Sequence, residues 1–153
     1  MKTTILICGM ILLIILGCSQ KESTPIEGES NPIEGAWQVV SFQSIAGDSL
    51  VGELGVEYIG TEMKIWSKSH FAFAGRYQLD TTFIDNCGGG TYKLDGTHSE
   101  ETILYFPNQS IVGTTIKLLY DLKNDTLIQT WPADENWQVD KSNYNIQKLI
   151  RLE

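Results

Sequence analysis

Cysteine, histidine and basic residues are all scarce in this chain, and each scarcity removes a class of explanation. Of the three cysteines, Cys8 lies inside an N-terminal apolar run and Cys18 at its end, which leaves Cys87 alone in the body of the chain. No intramolecular disulfide is expected there, so the fold must hold by its core. The two histidines, His70 and His98, together with Cys87, lack the short paired spacing of zinc ligands, and no metal or other cofactor is expected. No serine or cysteine nucleophile motif is present, and Gly88-Gly89-Gly90 is followed neither by Gly-Lys-Ser/Thr nor by a helical pattern, which argues against a phosphate-cradling loop. Lysine and arginine total 11 against 19 acids, a net charge of -8. Phosphate contacts need clustered Lys and Arg, so nucleic acid is not an expected partner, and the acidic balance suits solubility. Long hydrophobic runs are missing too: the longest, Ile5 to Leu16, falls short of the roughly 20 residues that a membrane-spanning helix requires.

That run has another meaning. Lys2 precedes it and Ile15-Leu16-Gly17-Cys18 ends it, so residues 1–17 read as a signal peptide. The four residues resemble a bacterial lipobox, in which the chain is cut before a cysteine that then carries diacylglycerol on its sulfur, with the small Gly17 at the cut. Acyl chains contribute about 0.8 kcal/mol per buried methylene, so several of them on Cys18 imply a durable hold on a lipid bilayer. The expected location is the cell envelope, at the outer membrane, facing the periplasm or the surface. Cleavage removes Lys2 and no acid, moving the net charge from -8 to -9. Residues 18–33 are polar, with Pro25, Gly28 and Pro32, and cannot bury enough apolar area to offset their ordering entropy. They read as a disordered tether to one domain over residues 34–153.

Within that domain the apolar residues recur with period two. Gly35-Ala36-Trp37-Gln38-Val39-Val40-Ser41-Phe42 is the first strong strand, with Trp37, Val39 and Ser41 on one face. Leu50 to Gly60 has no clean period and predicts a lid or weak edge strand. Met63–Trp66 and His70–Tyr77 are strands, the second with Phe71, Phe73, Gly75 and Tyr77 on one face. A loop is predicted from Leu79 to Asn86, then a strand from Cys87 to Leu94 whose glycines suit a bend or a close chain approach. Asp95-Gly96 predicts a two-residue hairpin into Glu100–Phe106. Thr115–Lys123, a turn at Asn124-Asp125, Leu127–Trp131, a polar loop from Pro132 to Ser142, and Tyr144–Leu152 complete the pattern. About eight strands, short turns and no convincing helix predict an all-β, antiparallel up-and-down barrel.

Gly35-x-Trp37 at the start of the first strand and Arg151 on the last resemble the opening and closing of lipocalins, and the chain is similar to that family and its wider relatives. The series Lys64-Ile65, His70-Phe71, Gly89-Gly90-Thr91-Tyr92, Glu101-Thr102-Ile103 and Gly113 narrows the resemblance to lipocalin-like lipoproteins of Bacteroidetes, whose function is largely unassigned. The resemblance covers residues 34 to 153. It implies a lipocalin-like barrel closed where Gly35 admits neighbouring chain against Trp37 and Arg151 lies over the indole. One departure stands at the end of the chain: such relatives often finish Glu-x-Trp-x-Arg, and here those positions are Gln147, Leu149 and Arg151.

The barrel reading makes His70, Arg76, Tyr92, Glu101, Tyr105, Tyr120 and Trp131 candidates to line a cavity, and an amphipathic small ligand is the implied occupant. The protein is expected to be a monomer. A second reading is an interaction module whose filled barrel binds protein or glycan through the loops Leu50 to Gly60 and Pro132 to Ser142. A third is an acid/base enzyme in which Glu101 orients His70. The bland assignment weighed against that pair, and favoured over it, has His70 capping a strand and Glu101 paired with Arg76 or Arg151 at a barrel mouth, so the expectation is that the protein is not an enzyme.

Overall fold

The computed structural model describes residues 31–153, in which nine antiparallel strands and no α-helix occur. Cys18, the lipobox and the signal peptide lie outside the described residues. The strands are β1 (Gly35–Ala46), β2 (Ser49–Glu53), β3 (Ile59–Trp66), β4 (His70–Leu79), β5 (Thr82–Asp95), β6 (His98–Tyr105), β7 (Thr115–Lys123), β8 (Thr126–Trp131) and β9 (Asn143–Arg151), with one 3-10 turn at Gln109–Ile111. β1 pairs with β3, each strand from β3 to β8 pairs with its successor, and β9 returns to β1, so eight strands close a barrel. The extra strand, β2, occupies β1's free edge at Gln43–Ala46, while β3 occupies the same edge at Gly35–Gln38. The all-β barrel is therefore present, with the expected weak segment after Ala46 supplying the ninth strand.

Local turn chemistry sets most of these junctions. Asn124 adopts φ 53° at the predicted β7–β8 hairpin, and Lys123 pairs with Thr126 across it. The β5–β6 hairpin joins the expected strands, but Asp95 pairs with His98, so its loop residues are Gly96 and Thr97, one place further on. The predicted loop from Leu79 to Asn86 is instead strand. Leu79 pairs with Thr82 around Asp80, whose φ of 54° tightens the turn, and the ladder runs on through Phe83, Ile84 and Asp85. Aspartate tolerates the left-handed conformation, so Asp80-Thr81 makes a two-residue turn without glycine.

Two bulges decide which side chains face inward. In β1 the register shifts between Val39 and Ser41, so the interior series runs Trp37, Val39, Phe42 and the expected Ser41 face is lost after Val39. A bulge puts two residues opposite one and reverses the alternation beyond it. In β6, Gly89 pairs with Tyr105 and Gly90 with Ile103. The extra residue turns Tyr105 outward, 72% exposed, while Phe106 packs against the core.

The barrel is plugged at one end. Trp37, Trp66, Leu127 and Leu149 fill it, with Ile33 beneath them at 1% exposure. The segment expected to be tether up to residue 33 thus contributes to the core: Trp37 Nε1 donates to Ile33 O at 2.9 Å, and Asn31 Nδ2 donates to Tyr92 Oη at 2.7 Å. Arg151 ties this strap down. Its guanidinium lies 4.2 Å from the Trp37 ring centroid and donates to Glu34 O at 2.7 Å and Pro32 O at 2.6 Å. Gly35, at φ +125°, leaves room for this packing, because a Cβ there stands 2.7 Å from Glu153 O and 3.0 Å from Arg151 Nη1. The expected closure by Gly35, Trp37 and Arg151 is what the structure contains, and the domain begins at least as early as Asn31.

Candidate functional site

Above the plug the barrel encloses a cavity of about 480 Å³, within the few hundred to a thousand Å³ of small-ligand sites. Its floor is built by an inverted strand. In β3, Glu62, Lys64 and Trp66 point inward while Met63 and Ile65 face out at 40% and 44% exposure. Glu62, Lys64 and, from β6, Glu101 are all nearly sealed from solvent, at 2%, 8% and 5% exposure. Burial of three charges is costly unless each is compensated, and their partners differ.

Glu62 is well supplied. Asn86 Nδ2 donates to its Oε2 at 2.5 Å and Tyr77 Oη at 3.2 Å, while Gln147 Nε2 donates to Oε1 at 3.3 Å. Lys64 Nζ donates to Gln129 Oε1 at 3.0 Å and sits 5.7–5.8 Å from the ring centroids of Trp66, Phe73 and Trp131. Three π-faces around one ammonium disperse its charge without a carboxylate. Glu101 Oε1 accepts from Tyr120 Oη at 2.7 Å, and its Oε2 accepts from no described group. Burial first, and the Glu101 charge second, hold the Tyr120 hydroxyl well above the usual phenol range. Burial and then Glu62 do the same for Tyr77. Both phenols therefore remain protonated donors at neutral pH.

The rest of the wall is apolar. Ile103, Ile116 and Leu118 line one side, with Phe106 and Ile111 from the β6–β7 connection above them. Opposite them Phe42 meets Tyr58 and Trp131 with ring centroids 6.4 and 6.3 Å apart, and Tyr58 meets Tyr77 at 6.3 Å. These aromatic contacts build a continuous rim toward the end of the barrel away from Trp37.

Of the candidate cavity residues, Glu101 and Trp131 line the space, and Tyr120 stands behind Glu101 as its donor. Tyr92 is buried in the plug instead. Its hydroxyl donates to Ser67 O at 2.6 Å, and burial, ahead of the Glu34 charge, pushes its pKa up to about 12. His70, Arg76 and Tyr105 are outside the barrel. His70 opens β4 on the exposed face with Nδ1 2.9 Å from Ser69 Oγ. Arg76 is six residues further along that face, forked onto Asp85 at 2.6 and 3.0 Å, which holds the Asp85 carboxyl below its usual range. Because Phe71, Phe73 and Tyr77 take the interior, period two forces His70 and Arg76 outward. The pairing of Glu101 with His70, Arg76 or Arg151 therefore does not occur; its partner is Tyr120.

Glu62 and Lys64 were missed because charged residues flanked by Met63 and Ile65 read as the solvent face of a strand. The available signal was Trp66, which shares their parity and belongs in the plug. No group of three or more His, Cys, Asp and Glu side chains suited to a metal occurs among the described residues, and Cys87 is an exposed thiol on β5.

Fold and site together define a closed antiparallel β-barrel with an interior cavity, an architecture consistent with a lipocalin-like ligand-binding fold. Compared with family models, with curated proteins and with solved structures, the chain matches none.

Proposed function

We propose that this protein is a membrane-anchored, lipocalin-like lipoprotein that binds one small amphipathic molecule inside its barrel. The observation that carries the binding half is the cavity itself: an interior of about 480 Å³ with apolar walls and a few convergent polar groups at its floor. A barrel whose only task is structural gains by filling such a space, since packing contacts across it are forfeited. Three buried charges add to the cost of keeping it. An acid/base reaction through His70 and Glu101 has no geometric support, with the imidazole on the outer surface. The loop-binding alternative draws on nothing comparable.

The test of binding uses a neutral probe, N-phenyl-1-naphthylamine, whose fluorescence rises in apolar surroundings. Saturable one-to-one binding is expected, and Ile116→Trp, which places an indole in the cavity from a half-buried wall position, is expected to abolish it while leaving the far-UV circular dichroism unchanged. Equal probe binding by the filled variant would place the probe elsewhere and sink the reading.

The anchoring half rests on Ile15-Leu16-Gly17-Cys18 at the end of the apolar run. Cys18→Ser is expected to move the protein from the membrane to the soluble fraction of its host, with the barrel's unfolding midpoint unchanged, because Cys18 lies well before the strap that begins the core. Undiminished membrane fractionation of the serine variant would remove the lipid anchor.

A further inference from the structure

We infer that the cavity's ligand is a protonated organic amine with an apolar body, its ammonium group donating to Glu101; this deepens the binding reading above and rests on it. Three charged side chains face the cavity, Glu62, Lys64 and Glu101, so carboxylates outnumber ammonium groups, and none of the described ion pairs joins them. Their unmet needs differ. Glu62 accepts from Tyr77, Asn86 and Gln147. Lys64 has an amide acceptor and three aromatic faces. Glu101 has Tyr120 alone, on one of its two oxygens.

Of the three charged side chains in the cavity, Glu101 alone has a charged-group oxygen with no protein donor, and that oxygen is not among the sealed, unpartnered atoms, which are Trp66 Nε1, Ser99 Oγ, Gln129 Nε2 and Gln147 Oε1, so it is open to a donor brought in through the cavity. Any donor brought to Oε2 makes a charge-assisted hydrogen bond there, and a cationic donor adds the Coulombic attraction of opposite charges in a low-dielectric space, which a hydroxyl lacks. A ligand carboxylate has the opposite effect, adding a third anion to a low-dielectric space that holds one lysine. The walls agree with the floor. Phe42, Tyr58, Tyr77 and Trp131 make the rim aromatic, and aromatic rings attract cations over their faces, while Ile103, Ile116 and Leu118 receive the apolar body. The whole chain, at -8, also draws cations toward it.

The experiment is a titration at pH 7 with three probes that share one body and differ in head group, 4-phenylbutylamine, 4-phenylbutanol and 4-phenylbutyrate, each followed by displacement of N-phenyl-1-naphthylamine. The amine is expected to bind about tenfold or more tighter than the alcohol, the factor that corresponds to about 1.4 kcal/mol, and the acid weakest. Glu101→Gln is expected to erase the amine's advantage over the alcohol, since the charged partner is lost. Tighter binding of the alcohol or the acid than of the amine overturns the inference and leaves the cavity a binding site. An amine preference that survives in Glu101→Gln overturns the assignment of Glu101. Failure of all three probes and of N-phenyl-1-naphthylamine to bind overturns the binding reading itself. The wild-type series decides between head groups even where the substitution prevents folding.

Discussion

Trp37→Ala is expected to lower the unfolding free energy by about 3 to 5 kcal/mol, the range for a large aromatic removed from a core that relaxes only in part. Trp37 is fully buried where β1, β3 and β9 meet, and Arg151, its cross-strand partner in β9, covers the indole. The loss extends beyond the indole, because its Nε1–H bond to Ile33 O holds the strap under the barrel. Arg151→Ala is expected to cost less. It forfeits a cation–π contact of roughly 0.5 to 2 kcal/mol and the two bonds to Glu34 O and Pro32 O, while its ion pair with the exposed Asp125 at 3.5 Å contributes little. The two changes share a contact and a strap, so their effects are expected to depart from additivity by more than about 0.5 kcal/mol. A double-mutant cycle on urea unfolding measures this, and simple additivity would show that closure at this end does not depend on the pair.

The closed end was legible in the sequence because its residues have few alternatives. A glycine two before a buried tryptophan, with an arginine on the final strand, is a local arrangement whose parts constrain one another. Strand existence was legible for the same reason, since alternation over eight or nine residues, as in Thr115–Lys123, fits no helix. What period two leaves open is the phase after a bulge. Nothing local in Val39-Val40-Ser41 or in Ile103-Leu104-Tyr105 announces that one residue will be skipped, so Phe42 and Phe106 were hidden and Tyr105 was misplaced.

The site was less legible than the scaffold, and for a physical reason. Hydrophobic patterning assumes that charged residues face water, and β3 breaks that assumption over Glu62 and Lys64. Consistency across levels usually fails where a protein has a use for the failure. The inversion also places Met63 and Ile65 on the surface, beside Ala74 and Ala72 of β4. The same reasoning makes His70 uninformative: a histidine next to two phenylalanines looks interior until Phe71 and Phe73 are seen to claim the inner face.

Gly90→Ala is expected to be the most damaging single-atom addition in the β5–β6 ladder. A Cβ at Gly90 stands 1.8 Å from Thr102 O, 2.9 Å from Thr102 C and 3.0 Å from Leu104 N, all backbone atoms at the β6 bulge, with no flexible side chain to yield. Relief requires β5 to separate from β6, and overpacking of this kind costs about 1 to 3 kcal/mol or more; with backbone as the obstacle the upper end is expected. The consequence reaches the cavity, because the same bulge carries Ile103 and Phe106 into its wall. Gly96→Ala supplies the comparison. Gly96 has φ +58° and open space around it, so an alanine there pays only the left-handed penalty of about 1 to 2 kcal/mol. Urea unfolding of both variants, with N-phenyl-1-naphthylamine binding measured beside it, is expected to show the larger loss and weakened probe binding for Gly90→Ala alone. A smaller loss at Gly90 than at Gly96 would mean that the close approach of β5 to β6 is not what holds this side of the barrel.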